Sequence, residues 1–250
     1  LIMVHVSGFG QTGPYRNKPG FGVIGEAMGG LRYLTGHAGE PSVRVGVSIG
    51  DSLSALYAVI GTLLALQERQ RSGLGQEIDV ALYESVFAMM ESLLPEFDAT
   101  GHVREPSGSA LPGITPSNAY RTREGEYVLI AGNGDSIFKR LMGVIGREDL
   151  ANHPAMAHND GRSQHAGEID AAIEAWTQTR HRDDILSALD DARVPAGYPY
   201  TAADIANDPH YLAREMIQTV TRADGRPLKV PGVLPKLSAT PGRLGQGGPK

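Results

Sequence analysis

A chain of 250 residues with 41% hydrophobic content is long enough for one large domain or two ordinary ones, each with its own core. Charged residues make up 20%, the formal net charge is -5 and the pI is about 5.9, which excludes a nucleic-acid binder working through a broadly basic surface. The absence of cysteine excludes disulfides, thiolate metal sites and cysteine nucleophiles, and no apolar run approaches the roughly 18 residues of a membrane-spanning helix. The expectation is a soluble, cytoplasmic protein with no membrane or nucleic-acid partner.

Leu1 to Ser7 reads as a buried strand, and because it starts at the first residue the chain is taken as the interior of a longer one. Gly8, Gly10, Gly13, Pro14 and Pro19 then predict an irregular loop, followed by a short helix over Phe21 to Met28 that Gly29 and Gly30 stop. Val43 to Ile49 is β-branched and extended in character. From Ser52 to Arg71, Leu53, Leu56, Tyr57, Ile60, Leu63 and Leu64 recur at helical spacing while Ala55, Val59 and Leu66 fill other faces, which predicts a largely buried helix. Arg69 and Arg71 supply a basic last turn and Gly73 a C-cap. Gln76 to Val80 predicts a strand, and Leu82 to Leu94 a second apolar helix closed by Pro95.

Glycine, serine and proline crowd the stretch from Gly101 to Asn118, the best candidate linker, with a boundary near residue 112. Tyr120 to Arg123 and Tyr127 to Ala131 predict a hairpin with Val128 and Ile130 on one face, and helices are expected over Ser136 to Ile145, Glu168 to Thr177 and Arg182 to Ala192. The resulting division is an incomplete large Rossmann-like α/β domain over 1–112, a smaller α+β domain over 113–225, and a proline- and glycine-rich tail over 226–250 that returns toward the large domain.

Several chemistries fail on spacing. Gly8, Gly10 and Gly13 match a dinucleotide fingerprint, but Pro14 and Pro19 leave no room for the helix that must follow it. His153, His158 and His165 miss the helical spacings of a zinc site, no serine occupies a G-x-S-x-G elbow, and no Walker lysine exists, so no metal is expected. Carboxylates remain as candidate nucleophiles. Asp51, in Gly50-Asp51-Ser52, falls where the extended segment gives way to the long helix. Aspartate there serves as an N-cap, and the same helix end favours an ionised, oriented carboxylate able to act as a nucleophile.

The order of segments carries more. Ser7-Gly8-Phe9-Gly10-Gln11-Thr12-Gly13-Pro14-Tyr15, Pro19-Gly20-Phe21, Gly50-Asp51 before an apolar helix, Ser72-Gly73-Leu74-Gly75-Gln76-Glu77-Ile78-Asp79-Val80, Val194-Pro195-Ala196-Gly197 and Asp208-Pro209-His210 together resemble the class III CoA-transferases, the CaiB/BaiF family. The resemblance implies the family III fold, and CoA transfer from an acyl-CoA to a carboxylic acid with Asp51 as acyl carrier. It implies no resident cofactor, since the coenzyme A thioester is itself the substrate. Gly132-Asn133-Gly134 resembles the family's glycine-rich loop, a lid and oxyanion site over the aspartate. Arg16 and Lys18 are candidate CoA-phosphate contacts, counted with Arg32 against Glu26 as a local positive excess. The family is similar to linked rings, so a homodimer is implied. A racemase branch of the same family resembles Gly-His-Asp where this chain has Gly20-Phe21-Gly22. Phe21 carries no proton and is instead read as an apolar substrate wall, which favours transfer over racemisation; an inactive CoA-binding remnant in which Asp51 only caps is the third alternative.

Overall fold

The computed structural model describes residues 1–245. Tertiary contacts divide the chain into two units, Leu1–Ser117 and the part that begins at Asn118. The architecture is mixed α/β.

In the first unit, β1 (Met3–Ser7) and β2 (Glu77–Ala81) run parallel in register, from Met3 opposite Glu77 to Ser7 opposite Ala81. Parallel neighbours require a long crossover, and it contains α1 (Gly22–Met28), α2 (Leu31–Leu34) and the 24-residue α3 (Ile49–Ser72). The strand expected to be buried is not: Met3 and Val6 are exposed, because β2 is its one strand neighbour among the described residues. Val43 to Ile49 forms no strand either. The Val43 N–H donates to the Thr35 carbonyl at 3.0 Å, no strand among the described residues pairs with the segment, and Ile49 is already helical.

The long helix stops as anticipated, with Gly73 at φ +76° and its N–H donating to the Arg69 carbonyl at 2.8 Å. Its burial is a correction. Within α3 only Gly50, Ser54 and Ala65 are buried, while Leu56, Val59, Leu63 and Leu64 are exposed. Its apolar residues surround the axis, but α1, the strand pair and α4 (Leu82–Phe87) cover one side. Among the described residues α3 is also the one helix long and apolar enough to cross a membrane, contrary to the expectation that no segment would be.

The helix expected to run to Leu94 breaks after Phe87, where Glu91 adopts φ 51° and a separate α5 (Leu93–Thr100) begins. Pro95 therefore does not close a helix. It is the third residue of one, where its missing N–H leaves no bond unmade.

The second unit carries a sheet in the order β3 (Ser117–Arg121), β4 (Tyr127–Ala131), β5 (Ala196–Gly197). Val128 and Ile130 on β4 are fully buried against helices α6 (Asp135–Val144), α9 (Ala166–Thr177) and α10 (Arg182–Asp191), which contribute Phe138, Ile173 and Leu189 to one core. Short helices α7 (Glu148–Ala151) and α8 (Asn159–Gln164) complete this layer. Beyond β5 lie α11 (Ala202–Asn207) and α12 (Pro209–Ala213), the latter capped by Asp208, whose carboxylate accepts from the His210 and Tyr211 N–H groups at 2.9 Å.

The expected tail starts inside a hairpin. Strand β7 (Pro227–Pro231) pairs antiparallel with β6 (Ile217–Thr221), so residues 227–231 are held by this unit through ladder bonds that a boundary at 226 would cut. Residues 246–250 of that tail lie outside the described residues.

Candidate active site

The carboxyl end of β1 runs into the glycine loop, and the loop folds back on itself. A Cβ on Gly8 would stand 3.0 Å from the Gly20 Cα, so the chain returns across β1 only because both residues lack side chains. Ser7 Oγ accepts from the Gly10 N–H at 3.0 Å, and Asp79 on β2 accepts from the Gln11 N–H at 2.8 Å. Gly10 sits at φ +85°, where a side chain is strained. This network ties the loop to both strands and delivers Phe21 to the start of α1.

Phe21 is the N-cap of α1, and its ring is exposed. Behind it α1 presents glycines on the faces that meet its neighbours. A Cβ on Gly25 would lie 2.9 Å from the Leu82 Cβ and one on Gly29 2.7 Å from the Val86 Cβ, so α1 lies almost backbone-to-side-chain on α4. At its start α1 meets α3: a Cβ on Gly50 would stand 3.2 Å from the Gly22 carbonyl oxygen and 3.4 Å from the Glu26 Cγ.

Asp51 follows Gly50. The N-cap of α3 is Ser48, which makes Asp51 the third helical residue and not the cap. Its side chain is exposed and, among the described residues, enters no hydrogen bond or ion pair. It lies against Gly22, where a Cβ would be 2.3 Å from Asp51 Oδ2. The carboxylate therefore lies within the first turn of α3, beside its unpaired N–H groups.

Beneath this crossing lies a charged group that sequence reasoning missed. Glu26 is 1% exposed, with Arg32 at 3.7 Å and Arg44 at 4.0 Å. Arg32 was counted toward a phosphate-binding excess; it is instead partly buried and turned to Glu26. The signal available was Glu26 itself, an acidic residue inside an otherwise apolar, glycine-rich helix. Arg16 and Lys18 are exposed in the loop, and Lys18 Nζ stands 3.6 Å from the centre of the Tyr15 ring.

The segment Gly132-Asn133-Gly134 belongs to the second unit, between β4 and α6, with Gly134 as the helix N-cap. Neither glycine has a left-handed φ. Its anchor is Arg162, fully buried, whose guanidinium donates to the Asn133 carbonyl at 2.6 Å, to Asp135 Oδ1 at 2.8 Å and to the Met156 carbonyl at 3.1 Å. Hydrogen bonds from His158 and then Arg162 hold the Asp135 carboxyl below its usual range. Among the described residues no cluster of histidines and carboxylates has the arrangement of a metal site.

The family model for CoA-transferase family III matches residues 1–250. The chain belongs to CoA-transferase family III. Among curated proteins it is similar to the succinyl-CoA–D-citramalate CoA-transferase of Chloroflexus aurantiacus, 49% identical over 249 residues that cover 100% of this chain and 62% of that protein. The beta subunit of succinyl-CoA–L-malate CoA-transferase from the same organism is 38% identical, again across 100% of this chain and 62% of its own length. A CaiB/BaiF family protein from Brucella suis has a solved structure that superposes with a TM-score of 0.81 at 32% identity, covering 100% of this chain and 65% of that one. This family III chain thus spans about 62% of the length of the curated relatives it matches.

Proposed function

We propose that this chain carries the transfer centre of an enzyme that moves CoA between carboxylic acids, with Asp51 as the covalent carrier. The observation that supports this most directly is the exposed Asp51 carboxylate, on the first turn of α3 and with no hydrogen-bond or ion-pair partner among the described residues. An Asp51 oxygen adds to the thioester carbonyl of the donor; the carbon–sulfur bond breaks, an aspartyl anhydride forms and CoA leaves as thiolate. The thiolate attacks the aspartyl carbonyl and releases the donor acid as carboxylate. An acceptor carboxylate then opens the aspartyl-CoA thioester to a new anhydride, and the freed thiolate takes the acyl group, which regenerates Asp51. One thioester replaces another, so the exchange needs no energy input and no metal step.

The intermediates hydrolyse unless water is excluded. The exposed ring of Phe21, next in sequence to the glycine that Asp51 touches, is assigned to the apolar wall; for Gly132 to Gly134 an oxyanion role rests on the family resemblance alone. Arg16 and Lys18 are assigned to the CoA phosphates, and a cytoplasmic homodimer is the expected assembly, with protein covering the apolar side of α3 rather than lipid. The relatives' names make succinyl-CoA the first donor to assay, with D-citramalate and L-malate as acceptors.

Protein expressed from its complete reading frame, incubated with succinyl-CoA and quenched with hydroxylamine, should carry a hydroxamate on the peptide containing Asp51. Asp51→Asn should abolish transfer without loss of fold; wild-type turnover in that variant refutes the assignment. Racemisation would instead need two proton-carrying groups flanking the α-carbon. Phe21 and Gly22 supply none, so a 2-methylacyl-CoA should gain no deuterium from heavy water.

A further inference from the structure

Gly22 is the first residue of α1, and its φ is not among the left-handed glycine values, so its backbone conformation does not call for glycine. Space does. The three heavy atoms nearest to a Cβ built on Gly22 all belong to one group: Asp51 Oδ2 at 2.3 Å, Cγ at 2.8 Å and Oδ1 at 3.0 Å. The carboxylate occupies the volume that a side chain at position 22 would fill.

The backbones on either side cannot separate easily to make room. Gly50, one residue before Asp51, already stands with its own Cβ direction 3.2 Å from the Gly22 carbonyl and 3.5 Å from Val86 Cγ2. Glu26, buried on the next turn of α1, closes the same crossing at 3.4 Å. What can move is the Asp51 side chain, by rotation about its own χ angles. No hydrogen bond or ion pair holds that rotamer among the described residues, so shape alone sets its direction.

We propose that Gly22 is the positioning residue of the Asp51 carboxylate: the notch left by its missing side chain seats the carboxylate in the one orientation from which it meets a bound thioester. This rests on the assignment of Asp51 as acyl carrier and adds to it a reason why position 22 is glycine. A methyl group there expels the carboxylate into a different rotamer while leaving the helices in place, and reacting atoms misplaced by about 1 Å lose on the order of 100-fold in rate.

The test uses protein from the complete reading frame with succinyl-CoA as donor and D-citramalate as acceptor. Gly22→Ala should remain folded by circular dichroism, lose about 100-fold in kcat and in the rate of hydroxylamine-trapped Asp51 adduct, and keep KM for succinyl-CoA within about threefold. A merely structural role would not divide kcat from KM in this way. The double variant G22A/D51A should melt no lower than Asp51→Ala alone, because the methyl then enters the space the carboxylate vacated, whereas Gly22→Ala alone should gain less over the wild type than the methyl gains in the Asp51→Ala background, since there it must first displace the carboxylate. Turnover of Gly22→Ala within twofold of wild type, with Asp51→Asn inactive, overturns the positioning role and leaves the carrier assignment standing. Full turnover in Asp51→Asn removes both. Should Gly22→Ala not fold, folding of G22A/D51A upholds the notch and its failure to fold overturns it.

Discussion

Arg162→Met tests what holds the second unit and its β4–α6 loop together. The guanidinium is fully buried and serves at least three backbone carbonyls, those of Asn133, Met156 and Ala157, besides Asp135 Oδ1 and the Phe138 ring 5.0 Å away. Methionine replaces much of the volume and none of the donors. Asp135 is half exposed and stays solvated, so the loss is dominated by the carbonyls; at about 1 kcal/mol for each of three, the destabilisation is about 3 kcal/mol. Trp176 is the single tryptophan of the chain and lies in the core of this unit, so urea unfolding followed by its fluorescence reports on this unit. The midpoint should fall at unchanged slope, and amide exchange should accelerate at Asn133, Gly134 and Asp135, whose loop loses its anchor. Arg162→Lys should fall between, since a compact ammonium cannot span acceptors that the planar fork reaches together. A loss below about 1 kcal/mol in the methionine variant would show that water satisfies those carbonyls and that Arg162 does not fix the loop.

The remaining expectations concern acid and packing. Hydrogen bonds from Arg147 lower the Asp149 carboxyl to about 2, and Asp135 is lowered by His158 and Arg162. A depressed folded pKa contributes stability that is complete above the unfolded value of about 3.9 and disappears as pH falls through the folded value. Asp149→Asn should therefore be less stable than wild type at pH 6 and converge with it near pH 2; a gap that stays constant across that range refutes the linkage. Gly29→Ala drives a methyl to within 2.7 Å of Val86 on α4 and should cost the first unit about 1–3 kcal/mol in urea or thermal melts, whereas a neutral effect would mean that α1 slides freely over α4.

Elements whose ends are written in local chemistry were legible from sequence. Gly73 stops α3 in the left-handed conformation only glycine adopts easily, and helices α6, α9 and α10 follow their apolar spacing to within a residue or two. What covers an apolar residue is not local. The periodicity of α3 and the alternation in β1 identify the residues that avoid water, but the structure leaves Leu56, Leu63 and Val6 exposed. The break at Glu91 was missed for a related reason: a left-handed non-glycine residue is held there by surrounding structure, and nothing in Ala88 to Ser92 announces it.

For Asp51 the difference of a few residues in the helix start changes the chemistry. An N-cap aspartate turns its carboxylate back to accept the N–H groups of the first turn, which both occupies its lone pairs and fixes its direction. With Ser48 at the cap, Asp51 lies within the turn, in the favourable field of the same N–H groups but with its oxygens uncommitted to them. The capping role that competed with the nucleophile on sequence grounds thus has no hydrogen bond among the described residues to carry it. The residues that do confine Asp51 are glycines distant in sequence: Gly22 by direct contact, and Gly8 and Gly20 by allowing the chain to return to that place. Of the glycines that match a nucleotide fingerprint, Gly8 therefore acts here through close backbone approach to Gly20, which lets the chain run on to the Gly22 that Asp51 touches.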